Sequence, residues 1–345
     1  MLGLFGNKEN RVMINDLEPL VLKRNETILN GALRHGLKIP YSCKVGGCGT
    51  CKCRLVEGKV KEFTDKSYLL TKQEIQRNII LACQSTPRSD VVVEIEGWTD
   101  SIDDVRGSIC NIEPLTHDIC EVSVELERPM TYRAGQYVTV RATDTDIPAR
   151  CYSFAHRSEP DGRRTISFFV RAVEGGRMSN WLIDEHHTGR AVTVTGPQGN
   201  FFLRDHDQPV VLVAGGSGLA PIVALLEQAL EDGAQILRQP ATLLFGVRSQ
   251  RDIYYTDHIT GLQSAWKNEF VFEPVLSAEP DGSDWAGKRG LVSDFVEAHS
   301  GREATGYLCG PPPMLDAAIN QMIRHGMKTD SIFFDKFSDQ SRAAA

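Results

Sequence analysis

Four cysteines carry the most specific chemistry in this chain. Cys43, Cys48 and Cys51 stand in the spacing C-x4-C-x2-C, and Cys83 follows downstream in Leu81-Ala82-Cys83-Gln84. Thiolates are soft anionic ligands, and this spacing with a distant fourth cysteine is that of a plant-type 2Fe–2S cluster. Gly46, Gly47 and Gly49 let the loop wrap closely and turn backbone N–H groups toward sulfur. The alternative is a structural zinc site, which usually draws on two local C-x2-C pairs. A Rieske centre needs two histidine ligands beside its cysteines, and no histidine follows a cysteine closely here. Cys53 reads as a small packed residue on the strand leaving the loop, because four thiolates are already supplied.

A second group lies at Arg150-Cys151-Tyr152-Ser153. If this is the start of a strand, Arg150 and Tyr152 project from one side. A guanidinium forks onto a pyrophosphate, a tyrosine ring stacks on an isoalloxazine, and Ser153 is placed to hydrogen-bond flavin N5. The alternative is a structural strand with a salt bridge. Downstream, Arg171 leads through Ala-Val-Glu into Gly175-Gly176-Arg177-Met178-Ser179, which reads as strand, glycine turn and helix start. Exposed N–H groups there suit the flavin phosphates, although a plain helix cap has the same pattern.

A third group suits a nicotinamide nucleotide. Val211 to Ala214 runs into Gly215-Gly216-Ser217-Gly218-Leu219-Ala220-Pro221, a strand, glycine turn and helix start. As a dinucleotide fingerprint it is incomplete, since Pro221 takes the last glycine position. Proline is at home in a first helical turn, and a pyrophosphate cradle is the better reading. Tyr307-Leu308-Cys309-Gly310-Pro311-Pro312-Pro313-Met314 closes a later strand, which puts Cys309 where parallel sheets bind ligands. An inert buried thiol is the alternative.

These groups need elements to hold them. Residues 10–98 hold short strand-like runs around the cysteine loop and end in Val91 to Glu96, which alternates as an edge strand does. Thr99 to Asp104 is polar and aperiodic. From about 107 to 205 come short β segments at Ile119–Leu126, Gln136–Ala142, Thr165–Ala172 and Ala191–Thr195, the spacing of an antiparallel barrel or sandwich. From Pro209 on, strand-like runs (Val210–Val213, Thr242–Val247, Phe270–Leu276, Gly306–Leu308) alternate with helical ones (Ile222–Leu230, Met314–Ile323), which implies a parallel α/β sheet.

Composition agrees. The 345 residues are 41% hydrophobic and 24% charged, as in a globular protein of two or three domains. The uncharged stretch Pro209 to Leu226 is cut by glycines and Pro221, so no integral membrane segment is expected. Charges near the N-terminus argue against a signal peptide, and a cytoplasmic protein is expected. Nine cysteines then suggest ligands or thiols rather than a disulfide framework. Residues 1–98 carry 15 Lys/Arg against 11 Asp/Glu, whereas the rest carries 23 against 34. No basic stripe with interleaved aromatics appears, so nucleic acid is not an expected partner.

With these three groups in that order, the chain resembles the reductase components of bacterial oxygenases, in the ferredoxin–NAD(P)H reductase superfamily. It is similar to reductases of aromatic-ring dioxygenases and of xylene or toluene monooxygenases. The resemblance implies a multidomain protein: a β-grasp ferredoxin domain (1–98), a linker (99–106), an antiparallel β-barrel FAD domain (107–206) and an α/β parallel-sheet NAD-binding domain (207–345). By the same motifs, Cys43, Cys48, Cys51 and Cys83 would ligate the cluster. Arg150, Tyr152, Ser153, Arg171 and Gly175 to Ser179 would hold FAD. Gly216 to Pro221, Arg248 and Cys309, Gly310 and Pro311 would meet the nucleotide. The ending Phe334-Asp335-Lys336-Phe337 resembles the family's, in which an acidic residue and an aromatic ring lie against the flavin. Asp335 stands where glutamate is more usual, and Phe337 either stacks on the flavin or packs in the core.

The implied function is that of an NADH-dependent reductase. Nicotinamide gives two electrons as a hydride, a 2Fe–2S cluster accepts one, and FAD converts between them, with Ser153, Cys309 and Asp335 at the reacting end. The electrons would leave for a terminal oxygenase component or an intermediate ferredoxin. Arg248 or Arg251 would instead suit a 2′-phosphate and NADPH. A deoxysugar dehydratase reductase and a flavin/iron–sulfur redox sensor are alternatives with the same architecture. The positive balance of the first domain suggests an acidic docking face on the acceptor.

Overall fold

The computed structural model describes residues 9–37, 39–41, 44–46, 49–66, 69–70, 72–95, 103–204 and 206–337. The chain forms two compact units that divide after Ile102.

In the first unit, β1 (Asn10–Ile14), β2 (Leu20–Leu22), β3 (Lys52–Glu57), β5 (Ile79–Leu81) and β7 (Val91–Glu94) form a five-stranded sheet in the order β2-β1-β7-β3-β5. The short β4 (Val60–Glu62) and β6 (Ser85–Pro87) pair beside it. Helix α1 (Ile28–Arg34) starts at Thr27, whose Oγ1 accepts the Asn30 N–H at 3.2 Å, and buries Ile28, Leu29 and Ala32. A second short helix, α2 (Lys72–Gln76), precedes β5. Gly31 is required by packing, since a Cβ there would lie 2.4 Å from Leu22 Cγ. This is the β-grasp arrangement expected. Val91–Glu94, however, is not at an edge. It pairs in parallel with β1 and antiparallel with β3, with Val91 and Val93 2% and 0% exposed. Alternation reports one buried face, and both central and edge strands of a one-faced sheet satisfy it.

The second unit begins with β8 (Asp103–Pro114), so the polar stretch expected as linker to 106 is strand from Asp103 onward. Thr195 and Gly196 pair with Asp104 and Asp103, and only Val105 in this short run shows the apolar signature, at 2% exposed. β9 (Ile119–Met130), β10 (Tyr137–Ala142), β11 (Arg150–Ser153), β12 (Arg163–Arg171) and β13 (Ala191–Gln198) complete an antiparallel sheet in the order β11-β10-β13-β8-β9-β12. Helix α3 (Arg177–Leu182) follows β12. The Ala155 N–H donates to the Ser167 carbonyl at 2.9 Å, joining the two edges of the sheet just beyond β11.

Next come β14 (Val210–Gly215), α4 (Leu219–Asp232), β15 (Ala241–Val247), α5 (Thr256–Ala265), β16 (Phe270–Leu276), β17 (Lys288–Arg289), β18 (Thr305–Gly310), α6 (Pro312–Arg324) and β19 (Ile332–Lys336). All six strands run parallel, in the order β17-β16-β15-β14-β18-β19. The order reverses between β14 and β18, and in open parallel sheets ligands bind beyond the carboxyl ends at such a point.

Barrel and parallel sheet share one apolar core. Ile119, Phe169 and Phe201 of the barrel segment belong to the same buried cluster as α4 and β14. Phe169 meets Tyr254 and Tyr255 edge-on, at ring-centroid distances of 5.5 and 4.9 Å. Beside this contact lies a half-buried charge cluster. His156 Nε2 faces Glu121 Oε1 at 2.9 Å and its Nδ1 faces Glu227 Oε1 at 3.2 Å. Glu227 Oε1 also meets His258 Nε2 at 2.8 Å, and its Oε2 accepts the Arg157 N–H at 2.8 Å. With a carboxylate at each ring nitrogen, His156 is an imidazolium. Burial opposes that charge, but the bonds to Glu121 and Glu227 outweigh it and raise the group to about 9. Burial likewise works to raise Glu227, yet its bonds from His156, His258 and the Arg157 N–H hold it at about 2.

The sign of the pH dependence follows. The raised His156 contributes stability that is complete below its unfolded pKa of about 6.5 and is lost as pH rises through about 9. The depressed Glu227 contributes above about 4.5 and loses this as pH falls through about 2. His156→Gln leaves two carboxylates facing each other and should cost about 3 kcal/mol at pH 7, the scale for breaking a partly buried pair. In thermal melts the deficit should shrink at pH 9.5, where the parent also loses the imidazolium; an equal deficit at both values would refute the charge assignment.

Candidate active site

The cluster ligands are built on two antiparallel neighbours. Cys51 immediately precedes β3, and Cys83 lies in the turn that leaves β5, with Lys52 opposite Leu81. The Ala82 N–H donates to the Cys51 carbonyl at 2.9 Å, fixing the two segments together. Both cysteines are nearly buried, at 4% and 5% exposed, which suits thiolates shielded by metal rather than hydrated. Lys44 and Gly46, between the first ligands, have φ of 61° and 79°, the tight backbone the loop demands. Cys43 and Cys48 lie outside the described residues. Cys53 points into the core at 2% exposed, and burial pushes its thiol up to about 12. It is a packing residue, as its spacing suggested.

Arg150 and Tyr152 lie two apart on the edge strand β11 and are both half-buried. The Arg150 guanidinium donates to the Ala149 carbonyl at 2.9 Å, and the Tyr152 ring lies 6.0 Å from that of Phe168. Burial pushes the Tyr152 hydroxyl well up, so it is neutral at any working pH. Helix α3 is only six residues long, with Gly176 as N-cap and no side-chain cap. Met178 and Ser179 are buried and Gly176 is packed, since a Cβ there would lie 2.6 Å from Ser179 Oγ, so the groups turned outward in this stretch are Gly175 and the Arg177 side chain, which pairs with Asp146. Gly175 has φ of 70°, and nothing lies within 4 Å of the point a Cβ would occupy there, so the turn is open. An arginine, an aromatic ring and an open glycine turn on one barrel fit a flavin nucleotide.

At the switch point the glycines divide into two kinds. A Cβ at Gly218 would lie 2.4 Å from the Cys309 carbonyl oxygen, and one at Gly310 would lie 3.1 Å from Gly215 N. These positions are glycine because β14 and β18 end against each other. Gly216 differs: its φ is 53°, and the nearest atom to its Cβ position is Arg171 Nη1 at 3.7 Å. It faces a cavity of about 300 Å³ lined also by Gly246, Arg248, Pro311 and, from the barrel side, Asp118 and Arg171. An elongated nucleotide with an anionic middle fits there. Leu219, Ala220 and Pro221 present buried side chains to the core, so of the expected 216–221 stretch it is Gly216 that faces the opening. Ser217 is half-buried in the turn. Cys309 is fully buried beneath that turn and does not line the cavity; burial first, then the Asp335 charge, pushes its thiol well up.

Cys309 pairs in register with Asp335 on β19, which carries the carboxylate across to the barrel. Ser153 Oγ donates to Asp335 Oδ2 at 3.5 Å, a long bond. Burial raises the Asp335 carboxyl to about 6, a shift that the Ser153 bond only partly offsets. Ser153, Cys309 and Asp335 are thus brought together although 182 residues separate the first from the last. Phe337 packs half-buried on the shared core, and its N–H donates to the Gly310 carbonyl at 2.9 Å.

Residues 15–88 match the family model for a 2Fe-2S iron-sulfur cluster binding domain, 107–203 that for an oxidoreductase FAD-binding domain, and 212–320 that for an oxidoreductase NAD-binding domain. The xylene/toluene monooxygenase electron transfer component of Pseudomonas putida is 39% identical over 91% of this chain and 89% of its own. The reductase component of phenol 2-monooxygenase from Pseudomonas sp. strain CF600 is 33% identical over 93% and 92%. The chain belongs to the reductase components of multicomponent oxygenases. A crystal structure of a cytochrome P450 reductase of Amycolatopsis is 32% identical and superposes with a TM-score of 0.74, covering 96% of this chain and 99% of that one.

As an oxygenase reductase it is an oxidoreductase with 2Fe–2S, FAD and NAD domains, and the three cofactors expected are those of its families. Among the described residues no helix is long and apolar enough to cross a membrane. Two supports of the switch-point cavity carry no motif in the sequence. Asp118 accepts Arg171 Nε at 2.8 Å and so aims the guanidinium, and Tyr254 donates its hydroxyl to the Gly216 carbonyl at 3.1 Å. Neither lies in a glycine-rich motif; the only local signal for Tyr254 is the Tyr-Tyr pair after β15.

The raised Asp335 sets a second pH dependence. Its folded value near 6 exceeds the usual 3.8, so the unfolded chain gives up this proton first and stability falls as pH rises through that window. Asp335→Asn removes the fall. Relative to the parent, the variant should gain melting temperature between pH 5 and pH 8; a constant difference would show that the carboxyl is not desolvated.

Proposed function

We propose that this reductase oxidises NADH and exports electrons singly through its cluster to a separate oxygenase component that hydroxylates an aromatic or hydrocarbon substrate. The observation that carries the reading is the convergence of Ser153 and Asp335 with the two glycine-rich strand ends, Gly215-Gly216 and Gly310-Pro311, at one switch point. When bound, FAD supplies the conversion between a two-electron donor and one-electron acceptor. The chain's own residues position and tune. Arg150 offers a cation and Tyr152 a ring face to the flavin from the edge strand. Arg171, oriented by Asp118, and the turn at Gly216 hold the anionic middle of the nucleotide. Asp335, which burial raises to about 6, gains and loses its proton just below neutral pH within reach of the Ser153 hydroxyl, so the pair is suited to steady the charge at the reacting end. Cys309, buried behind them, supports the Gly216–Gly218 turn from beneath, with its carbonyl oxygen against Gly218.

Several features favour the finer points. Relatives named for monooxygenases and dioxygenases support an oxygenase as acceptor over a deoxysugar dehydratase. Val45, within the cluster loop, and Phe63 are 69% and 52% exposed, with Lys61 over the Phe63 ring, which suits apolar contact beside a positive charge on the acceptor-facing unit. We place the protein in the cytoplasm, where NADH is supplied. NADH is taken as the donor because Asp252 at the cavity, and Glu279 bonded to Gln250, place carboxylates near Arg248, where a 2′-phosphate would have to lie.

With purified holoprotein, NADH should bleach the flavin absorbance much faster than NADPH, and adding the oxygenase component with its substrate and O2 should give NADH-dependent product. Cys83→Ala, which offers no donor atom, should remove the cluster's visible bands and reduced-state EPR signal and cut product formation by at least the roughly 100-fold that bounds losses from outer-shell partners, while flavin bleaching by NADH persists. Product formation that survives loss of the cluster, or a preference for NADPH, would overturn the corresponding half of the proposal.

A further inference from the structure

Beside the fourth cluster ligand, Gln84 makes a set of contacts that packing alone does not require. Its amide Nε2 donates to the Lys44 carbonyl at 3.3 Å and the Cys83 carbonyl at 3.1 Å, and lies 3.9 Å from Cys83 Sγ, so the sulfur shares one of the two N–H groups with a carbonyl. Two carbonyls can face only the NH2 end of an amide, so the orientation is set without reference to sulfur. Thr64 then locks it by donating its hydroxyl to Gln84 Oε1 at 2.7 Å. The backbone adds a third tie, since the Phe63 N–H donates to the Gln84 carbonyl at 2.9 Å. Gly46 passes directly over this arm: a Cβ at Gly46 would lie 2.8 Å from Gln84 Cγ, and φ there is +79°. One side chain thus reaches the loop between the first two ligands, the fourth ligand's backbone, and its sulfur.

We infer that Gln84 is the positioning residue of the cluster, holding the Lys44–Gly46 segment against Cys83 and aiming an N–H dipole at the Cys83 thiolate that raises the cluster's reduction potential. The physical ground is charge. A one-electron reduction adds a negative charge that spreads onto the sulfur ligands, so a donor aimed at a ligand sulfur favours the reduced form. Thr64, which touches neither ligand nor loop backbone in these contacts, acts through Gln84 by choosing which end of the amide faces the sulfur. The inference rests on Cys83 holding a 2Fe–2S cluster, and iron and acid-labile sulfide analysis of the parent holoprotein tests that separately.

The test is an EPR-monitored redox titration of full-length holoprotein, comparing the parent with Gln84→Leu, Gln84→Glu and Thr64→Val. Gln84→Leu removes the donor, and should shift the reduction equilibrium about tenfold toward the oxidised cluster, which for one electron is about 59 mV to more negative potential. Gln84→Glu, of equal shape but presenting acceptors, should shift it at least as far. Thr64→Val should move it in the same direction by less. The flavin potential should stay where it is in all three. A merely structural role would hasten cluster loss without moving the potential of the clusters that remain, so unchanged potentials in Gln84→Leu and Gln84→Glu overturn the inference. If neither Gln84 variant retains a cluster, Thr64→Val decides: a negative shift supports the assignment and none overturns it.

Discussion

The second unit depends on the close abutment of two parallel strand ends. β14 and β18 are neighbours, and their exits abut through Gly218, where a Cβ would lie 2.4 Å from the Cys309 carbonyl oxygen, and Gly310, where one would lie 3.1 Å from Gly215 N. Because the strand order reverses there, the two chains leave in opposite directions and open a cavity between them. The barrel closes its far wall with Asp118, Ile119 and Arg171. Every other candidate group takes its place from this abutment: β19 packs on β18 and brings Asp335 beside Cys309, and β11 of the barrel brings Ser153 to Asp335.

Such a site fails if barrel and sheet move apart, and two kinds of contact resist this. Apolar burial through Phe169, Tyr254 and Tyr255 supplies the non-directional part. The His156 cluster supplies a directional one, because an imidazolium with a carboxylate at each nitrogen has few alternative arrangements at comparable energy. A buried ion pair is weak evidence of net stability, since a packed apolar substitute often does as well. Its value here is register: it fixes how β9 and the β11 exit meet α4, while the apolar contacts tolerate sliding.

The ferredoxin-like unit solves a different problem. Its sheet and α1 form an ordinary core that takes in Cys51 and Cys83, and the Lys44–Gly46 segment is tied to it by the Gln84 arm. Backbone bent to φ of 61° is costly at Lys44, which is not a glycine, and the Gln84 bond to the Lys44 carbonyl, locked by Thr64, helps to offset that cost.

Much of this was legible in the sequence, because ligand spacing and β-to-α alternation are local. C-x4-C-x2-C with a distant cysteine needs no neighbour to be read, and the three domain types follow from the order of motifs. Cys53 was separable from the ligands by counting alone. Other features were decided by tertiary structure. Whether Val91–Glu94 lies at an edge or in the middle depends on which strands flank it, which one-face alternation does not encode. The strand from Asp103 looked like a linker because its polar side faces solvent and its pairing partner Thr195 lies 91 residues from Asp104. Leu219, Ala220 and Pro221, and the buried Cys309, sit within nucleotide motifs, yet the core claims their side chains and leaves the opening to Gly216. Asp118, Tyr254 and Gln84 act through partners distant in sequence. What the sequence determined by itself is the set of cofactors, since each is called by covalently neighbouring residues; what the tertiary structure decided is which residues reach them, since burial and orientation are properties of the packed whole.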